Sequence, residues 1–228
     1  MMDPNRKTWN KNQKELHSLL SPSGDFRAAV PLFLHQHAAV HSAQLSRDGS
    51  WSFPDEILQD LSAPDLRRIP PEGEHSIAWV LWHLARIEDV TMNILVAGRP
   101  QLYYEENWFT RMKFLSSETG NALDQAGITG LNSFIDLDVL HAYRLAVGRS
   151  TQIIAKALHP DDLQRSVPPS RLDRVLAEGA VVESTRSLLA YWSKRTIAGL
   201  LLMPPTRHNF LHLNEAARIR QIIIRSGV

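Results

Sequence analysis

The sequence predicts an all-α protein, a four-helix bundle with extra short helices and long loops. Three observations predict this class. Apolar residues recur at spacings of three and four in several long segments, and no segment alternates apolar and polar residues as a half-buried strand would. Apolar residues also make up 43% of the 228-residue chain, which is enough for a core. We divide the chain into an N-terminal extension, residues 1–25, and one helical bundle domain, residues 26–228.

The first half of the chain contains the best-defined helix. A short helix is predicted over residues 10–20, and a longer apolar stripe begins at Phe26. Because proline is tolerated only near the first turn of a helix, Pro31 predicts that this second helix starts near it. The clearest helix begins after Ser76, a good N-cap, and ends at Gly98, a typical C-terminal stop.

The remaining segments are placed by their periodicity and their turn residues. Residues 99–131 lack periodicity, and we interpret this long loop as a functional flap or lid. Helices are predicted over residues 54–61, 133–158, 171–203 with a possible break at Gly179, and 206–224 after an interruption by Pro204 and Pro205.

Composition excludes several classes of function. The formal net charge is +1, which argues against nucleic-acid binding through a basic field and against a polybasic membrane surface. The start of the chain lacks the apolar region of a signal peptide, and no apolar run reaches the roughly 18–20 residues that span a bilayer. A cytoplasmic location is therefore expected. The chain has no cysteine, so a transition-metal site must use His, Asp or Glu.

Two of the ten histidines, His208 and His212, are spaced for one metal ion. They lie four residues apart and therefore face the same way on a helix. Ile219 and Ile222 continue their stripe, so this face is predicted to point inward. Buried imidazoles without partners cost free energy, so a metal, a carboxylate or buried water should bind them. His83 lies mid-stripe on the clearest helix, where it is either a hydrogen-bonded core residue or a third ligand.

Three further residues are candidates for catalysis. Glu215 lies on the same face as His208 and His212, and it is a fourth ligand, a hydrogen-bond acceptor for a ligating histidine, a general base or an ordinary partner of Arg218. His37 and His41 repeat the four-residue spacing on the second helix. They line a pocket wall or form a pair on the helix surface, or they contact the substrate or support the catalytic site from a neighbouring position.

Two short runs carry a resemblance to a known family. The run SIAWVLWHLARIED, residues 76–89, resembles the second helix of the DinB/YfiT-like superfamily, with its single histidine at His83. The run HNFLHLNEAARIR, residues 208–220, resembles the fourth helix of that family, in which an HxxxH pair precedes Gln or Glu and then Arg.

The resemblance implies a DinB-like four-helix bundle in which His83, His208 and His212 bind a divalent metal, commonly zinc or nickel. It also implies a homodimer that acts on a small molecule. Family members include thiol S-transferases that use a low-molecular-weight thiol as cosubstrate. We therefore expect a metal-dependent transferase or hydrolase. The alternative is a non-catalytic bundle that binds a metal or a small ligand as a sensor or carrier.

Overall fold

The computed structural model describes residues 3–46, 48–71 and 73–226, and this part of the chain is all-α, as predicted. It contains no strand, only one isolated bridge between Ser166 and Thr196. The α-helices are α1 (Pro4–Leu19), α2 (Phe26–His41), α3 (Phe53–Leu58), α4 (Ala63–Arg67), α5 (Ile77–Asp89), α6 (Leu102–Glu105), α7 (Trp108–Arg111), α8 (Gln125–Phe134), α9 (Leu137–Ala157), α10 (Pro169–Ala177), α11 (Ser187–Ser193), α12 (Ile197–Leu202) and α13 (Asn209–Ser226).

Four of these helices form the bundle: α2, α5, α9 and α13. Helix α5 packs against α9 and α13, and α2 closes the ring by packing against the same two helices. Every residue of α5 is buried, so this helix forms the centre of the core. Side chains on α5 and α13 therefore face each other inside the bundle.

The start of α2 differs from the prediction. The helix begins at Phe26 because the Asp25 side chain accepts hydrogen bonds from the backbone N–H groups of Arg27 and Ala28, and Pro31 lies inside the helix. Helix α1 packs on α2, and its Trp9 stacks on Phe210 of α13 with ring centroids 4.1 Å apart. The N-terminal extension thus contributes an aromatic side chain to the bundle core.

The helical segment that starts with α5 begins and ends where the sequence predicts. The Ser76 hydroxyl accepts a hydrogen bond from the Trp79 N–H, which caps the N-terminus. The helix continues as a π-helical segment, Val90–Ala97, and ends at Gly98, whose φ of 70° lies in the left-handed region. Because glycine adopts that conformation without a steric penalty, it predicts the end of this segment well.

The prediction that Pro204 and Pro205 simply interrupt the helix also differs from the structure. Residues Met203–His208 form a π-helical turn that joins α12 to α13, and both prolines are buried in it. π-helical turns inside longer helices occur frequently at functional sites. Here the turn ends at His208, one of the predicted metal ligands.

Two further segments differ from the prediction. Residues 99–131 hold α6, α7 and the start of α8, so this region is less irregular than predicted. The helix predicted over residues 171–203 is divided into α10, α11 and α12, with a 3₁₀ turn at Glu183–Thr185. Further 3₁₀ turns are Ala43–Leu45 and Pro160–Asp162. Among the described residues, no helix has the length and apolarity needed to cross a membrane.

Candidate metal centre

The structure brings His83, His208 and His212 together between α5 and α13. Each histidine offers one ring nitrogen, and these three atoms lie within 4.8 Å of one another. The Nε2 atoms of His83 and His208 are 3.3 Å apart. Three imidazole nitrogens at such spacing fit a divalent cation, for which metal–nitrogen distances of about 2.0–2.1 Å are typical of zinc.

Hydrogen bonds to the other ring nitrogens fix two of the imidazoles. His83 Nδ1 donates to the Thr119 carbonyl oxygen at 2.5 Å, and His212 Nδ1 donates to Glu215 Oε2 at 3.0 Å. A carbonyl and a carboxylate only accept, so Nδ1 carries the proton in both rings and Nε2 keeps its lone pair. Donation of this N–H to an oxygen is the usual arrangement of metal-ligating histidines.

Burial keeps two of the three imidazoles neutral. His83 is fully enclosed, and desolvation, with a smaller effect from His212, lowers the pKa of His83 to about 3. Desolvation also lowers the pKa of His208 well below its ordinary value, and the neighbouring imidazoles add to the effect. Both rings are therefore neutral at pH 7, the state in which imidazole binds metal.

Aromatic packing encloses the cluster on the side of α5. The Trp79 ring stacks on His83 with centroids 4.8 Å apart, and His75 stacks on the other side of Trp79 at 3.5 Å. Trp79 also meets His212 edge-on at 6.3 Å. These contacts restrict the rotamers of the imidazoles and exclude water from that side.

Glu215 joins the cluster to His75, the residue that precedes the N-cap of α5. Its Oε1 accepts from His75 Nδ1 at 2.8 Å, while its Oε2 accepts from His212. Burial would raise the pKa of Glu215, but the two hydrogen bonds outweigh it and bring the pKa down to about 2. A lone histidine in a loop rich in proline and glycine has no periodic signal, so only the fold reveals the role of His75.

The loop predicted to be a flap contacts the cluster directly. Besides the Thr119 carbonyl, Gly120 passes so close to the ring of His83 that an added Cβ would lie 3.0 Å from its Nδ1. The φ of Gly120 is +100°, which other residues rarely adopt. Glycine is therefore required where this loop crosses the histidine.

Two cavities lie near the histidine cluster. One, of about 220 Å³, reaches His208 and is lined mainly by apolar side chains, among them Ile87, Leu188 and Tyr191. The other, of about 620 Å³, reaches Glu215 and His75 and is lined further by Arg218 and Ile222. Of the two, only the smaller cavity is lined by one of the three clustered histidines.

His37 and His41 do not join the three-histidine cluster. They lie on α2 against Glu88 of α5, and all three side chains are buried. Asn209, next to His208, links the two groups because its Nδ2 donates to Glu88 Oε2 at 2.9 Å. Glu88 is a charged residue in an apolar helical segment, and no sequence motif or spacing selects it as a site residue.

Comparison with known proteins agrees with this architecture. The sequence model of the DinB superfamily matches residues 50–215, which is more than half of the chain. The chain therefore belongs to the DinB superfamily, and the predicted family membership is confirmed. No curated protein matches the chain.

Proposed function

We propose that this protein is a metal-dependent enzyme of the thiol S-transferase or hydrolase type, with a divalent cation, zinc or nickel, held by His83, His208 and His212. The observation that carries the proposal is the convergence of three imidazole nitrogens beside a cavity. Three protein ligands leave coordination positions open, which is the arrangement of catalytic rather than structural zinc sites. Such an ion supplies a Lewis acid that lowers the pKa of a coordinated thiol or water.

The residues around the cluster have separate roles in this proposal. Glu215 accepts the Nδ1 proton of His212, which orients the ring and increases its basicity. Thr119 does the same for His83 through its carbonyl oxygen. The loop at Gly120 and the ring of Trp79 exclude water from His83, which strengthens electrostatic interactions at the site.

The reacting thiolate in the transferase mechanism must come from a cosubstrate, since the chain has no cysteine. The smaller cavity reaches His208 and is the place where a small-molecule substrate would approach the open coordination positions. We propose that the protein acts in the cytoplasm as a homodimer, without nucleic acid or membrane as a partner.

Cobalt substitution tests this function. A free thiol has a pKa of about 8.5, and coordination to a divalent cation deprotonates it. Adding bacillithiol, mycothiol or glutathione to the cobalt protein should therefore produce a sulfur-to-cobalt charge-transfer band, and the His208→Ala variant should not show it. Because the protein contains no cysteine, the band cannot come from the chain itself.

The alternatives give different results in the same experiment. Cobalt bound by the three histidines with no band from any of the thiols would leave coordinated water as the nucleophile and would favour hydrolysis. Cobalt with a closed coordination shell and no exchangeable water would favour the non-catalytic sensor or carrier. Failure of the wild-type chain to bind cobalt at the three histidines would refute the proposed function.

A further inference from the structure

A second group of potential ligands lies deeper in the bundle. His37 and His41 on α2 face Glu88 on α5, and each offers one atom of a set in which all atoms lie within 4.8 Å of one another. The exposed fractions of the three side chains are 0%, 2% and 1%. This group, which we term the buried triad, is separate from the three histidines described above.

A hydrogen bond explains why His37 lies against Glu88, but it does not explain the position of His41. His37 Nε2 lies 2.9 Å from Glu88 Oε1, a normal hydrogen bond. His41 Nε2 is 3.9 Å from the same oxygen, beyond hydrogen-bond distance, and His41 Nδ1 has no hydrogen-bond partner among the described residues. A fully buried imidazole without a partner is costly, so a second imidazole here needs another explanation.

The carboxylate is oriented as a ligand would be. Thr151 Oγ1 donates to Glu88 Oε1 at 2.7 Å, and Asn209 Nδ2 donates to Oε2 at 2.9 Å. These bonds hold the carboxylate in one rotamer and still leave lone pairs on both oxygens. Hydrogen bonding of a ligating carboxylate by its neighbours is typical of metal sites.

The charges of the buried triad also favour a cation. Burial would raise the pKa of Glu88, but the facing imidazoles and the hydrogen bonds from His37 and Thr151 lower it to about 2, so the carboxylate is ionised. Desolvation lowers the pKa of His41 well below its ordinary value, so this ring is neutral. The buried Arg144 donates to the His41 carbonyl oxygen at 3.4 Å, and its positive charge, which Glu88 partly balances, also lowers the pKa of His41.

We propose that His37, His41 and Glu88 form a second metal site, which binds a divalent first-row transition ion. Two imidazoles and one carboxylate are a donor set that suits iron(II), cobalt(II) or zinc(II). Because the site is enclosed between α2 and α5, its ion has a structural role and ties the first bundle helix to the second. The inference depends only on these residues and not on the function proposed for the three-histidine site.

Cobalt stoichiometry in four proteins tests this site. The full chain, purified without a histidine tag and stripped of metal, is loaded with Co²⁺, freed of excess ion by gel filtration and assayed for cobalt per chain. The variants are His208→Ala, Glu88→Gln, which preserves the shape of the side chain, and the double variant. We expect the wild type to bind twice as much cobalt as each single variant and the double variant to bind none.

A crystallographic measurement covers the possibility that Glu88→Gln does not fold. Anomalous scattering of the cobalt-loaded wild type should show a peak between His37, His41 and Glu88. A peak at the three histidines alone would overturn the inference, as would wild-type stoichiometry that Glu88→Gln leaves unchanged. A peak at the buried triad alone would support the inference and would remove the basis of the proposed enzymatic function.

Discussion

The Nε2 atoms of His83 and His208 lie 3.3 Å apart, although 125 residues separate the two histidines in the sequence. The contact between α5 and α13 brings them together, and helical spacing adds His212 one turn further along α13. Their neighbours Thr119 and Glu215 occupy the remaining ring nitrogens of His83 and His212. This geometry makes the metal-binding role of each residue separately testable.

Replacing one ligand should lower metal content more than replacing other histidines. We expect His208→Ala to lose the ion of the three-histidine site, because two ligands bind far more weakly than three. His141→Ala and His159→Ala are the controls, since neither residue lies in the cluster. Elemental analysis of protein purified without a metal-affinity tag measures the effect. Equal metal content in all three variants would contradict the assignment.

The hydrogen bond from His212 to Glu215 should also contribute to metal affinity. Replacing the carboxylate partner of a ligating histidine typically lowers metal affinity about 10–100-fold. We expect a loss in this range for Glu215→Gln, measured by competition with a chromophoric chelator. Glu183→Gln is a suitable control because Glu183 is 82% exposed and pairs with Arg186, away from the cluster. An unchanged affinity for Glu215→Gln would show that Glu215 does not support the site.

The sequence predicted the bounds of a helix correctly where a single capping or turn residue determines them. Ser76 and Gly98 define the central helical segment correctly, because capping and left-handed backbone are properties of single residues. Pro31 misled the prediction of the start of α2, because the cap at Asp25 and the burial of this helix tolerate a proline inside it. Helix α8 was missed because Gly127 and Gly130 weaken its intrinsic helix propensity.

The candidate site was predictable where helical spacing or the family resemblance selected its residues. The four-residue spacing of His208 and His212 and the apolar stripe around His83 are visible in the sequence, and the fold brings the three together. The roles of His75 and Glu88 depend on tertiary contacts with Glu215 and with α2, respectively. Sequence periodicity shows which residues share a helix face, but it does not show which residues of different helices come into contact.

Acid should destabilise the metal-free protein through His83. The pKa of this ring is about 3 in the folded state and about 6.5 in the unfolded chain, so between these pH values the unfolded state binds the extra proton. Stability is therefore lost as pH falls below about 6.5. With about 1.4 kcal/mol per pH unit, His83 accounts for about 2 kcal/mol between pH 6.5 and pH 5.

Urea unfolding of the metal-free protein at pH 7 and pH 5 measures this effect. The His83→Gln variant lacks the titrating ring, so its free energy of unfolding should fall by about 2 kcal/mol less than that of the wild type over this interval. Identical pH dependence in the two proteins would contradict the burial of a neutral His83.

The smaller cavity should give the metal site a preference for ligands with an apolar group. Imidazole and 4-phenylimidazole share the same metal-binding nitrogen, but only the second has a phenyl ring that can enter the cavity beside His208. Burying such a ring contributes about 1.5–3 kcal/mol, so 4-phenylimidazole should bind the cobalt protein about 10–100-fold more tightly than imidazole. Titrations followed by the visible cobalt spectrum measure both affinities.

Matched variants identify the cavity responsible for this preference. Leu188→Glu introduces a charge into the smaller cavity and should remove most of the preference, because an ionised carboxylate resists desolvation by the phenyl ring. Ile222→Glu makes the same change in the larger cavity and should leave the preference intact. The opposite pattern would place the approach to the metal on the side of Glu215 and His75. Equal affinity of the wild type for both ligands would show that neither cavity opens onto the coordination positions.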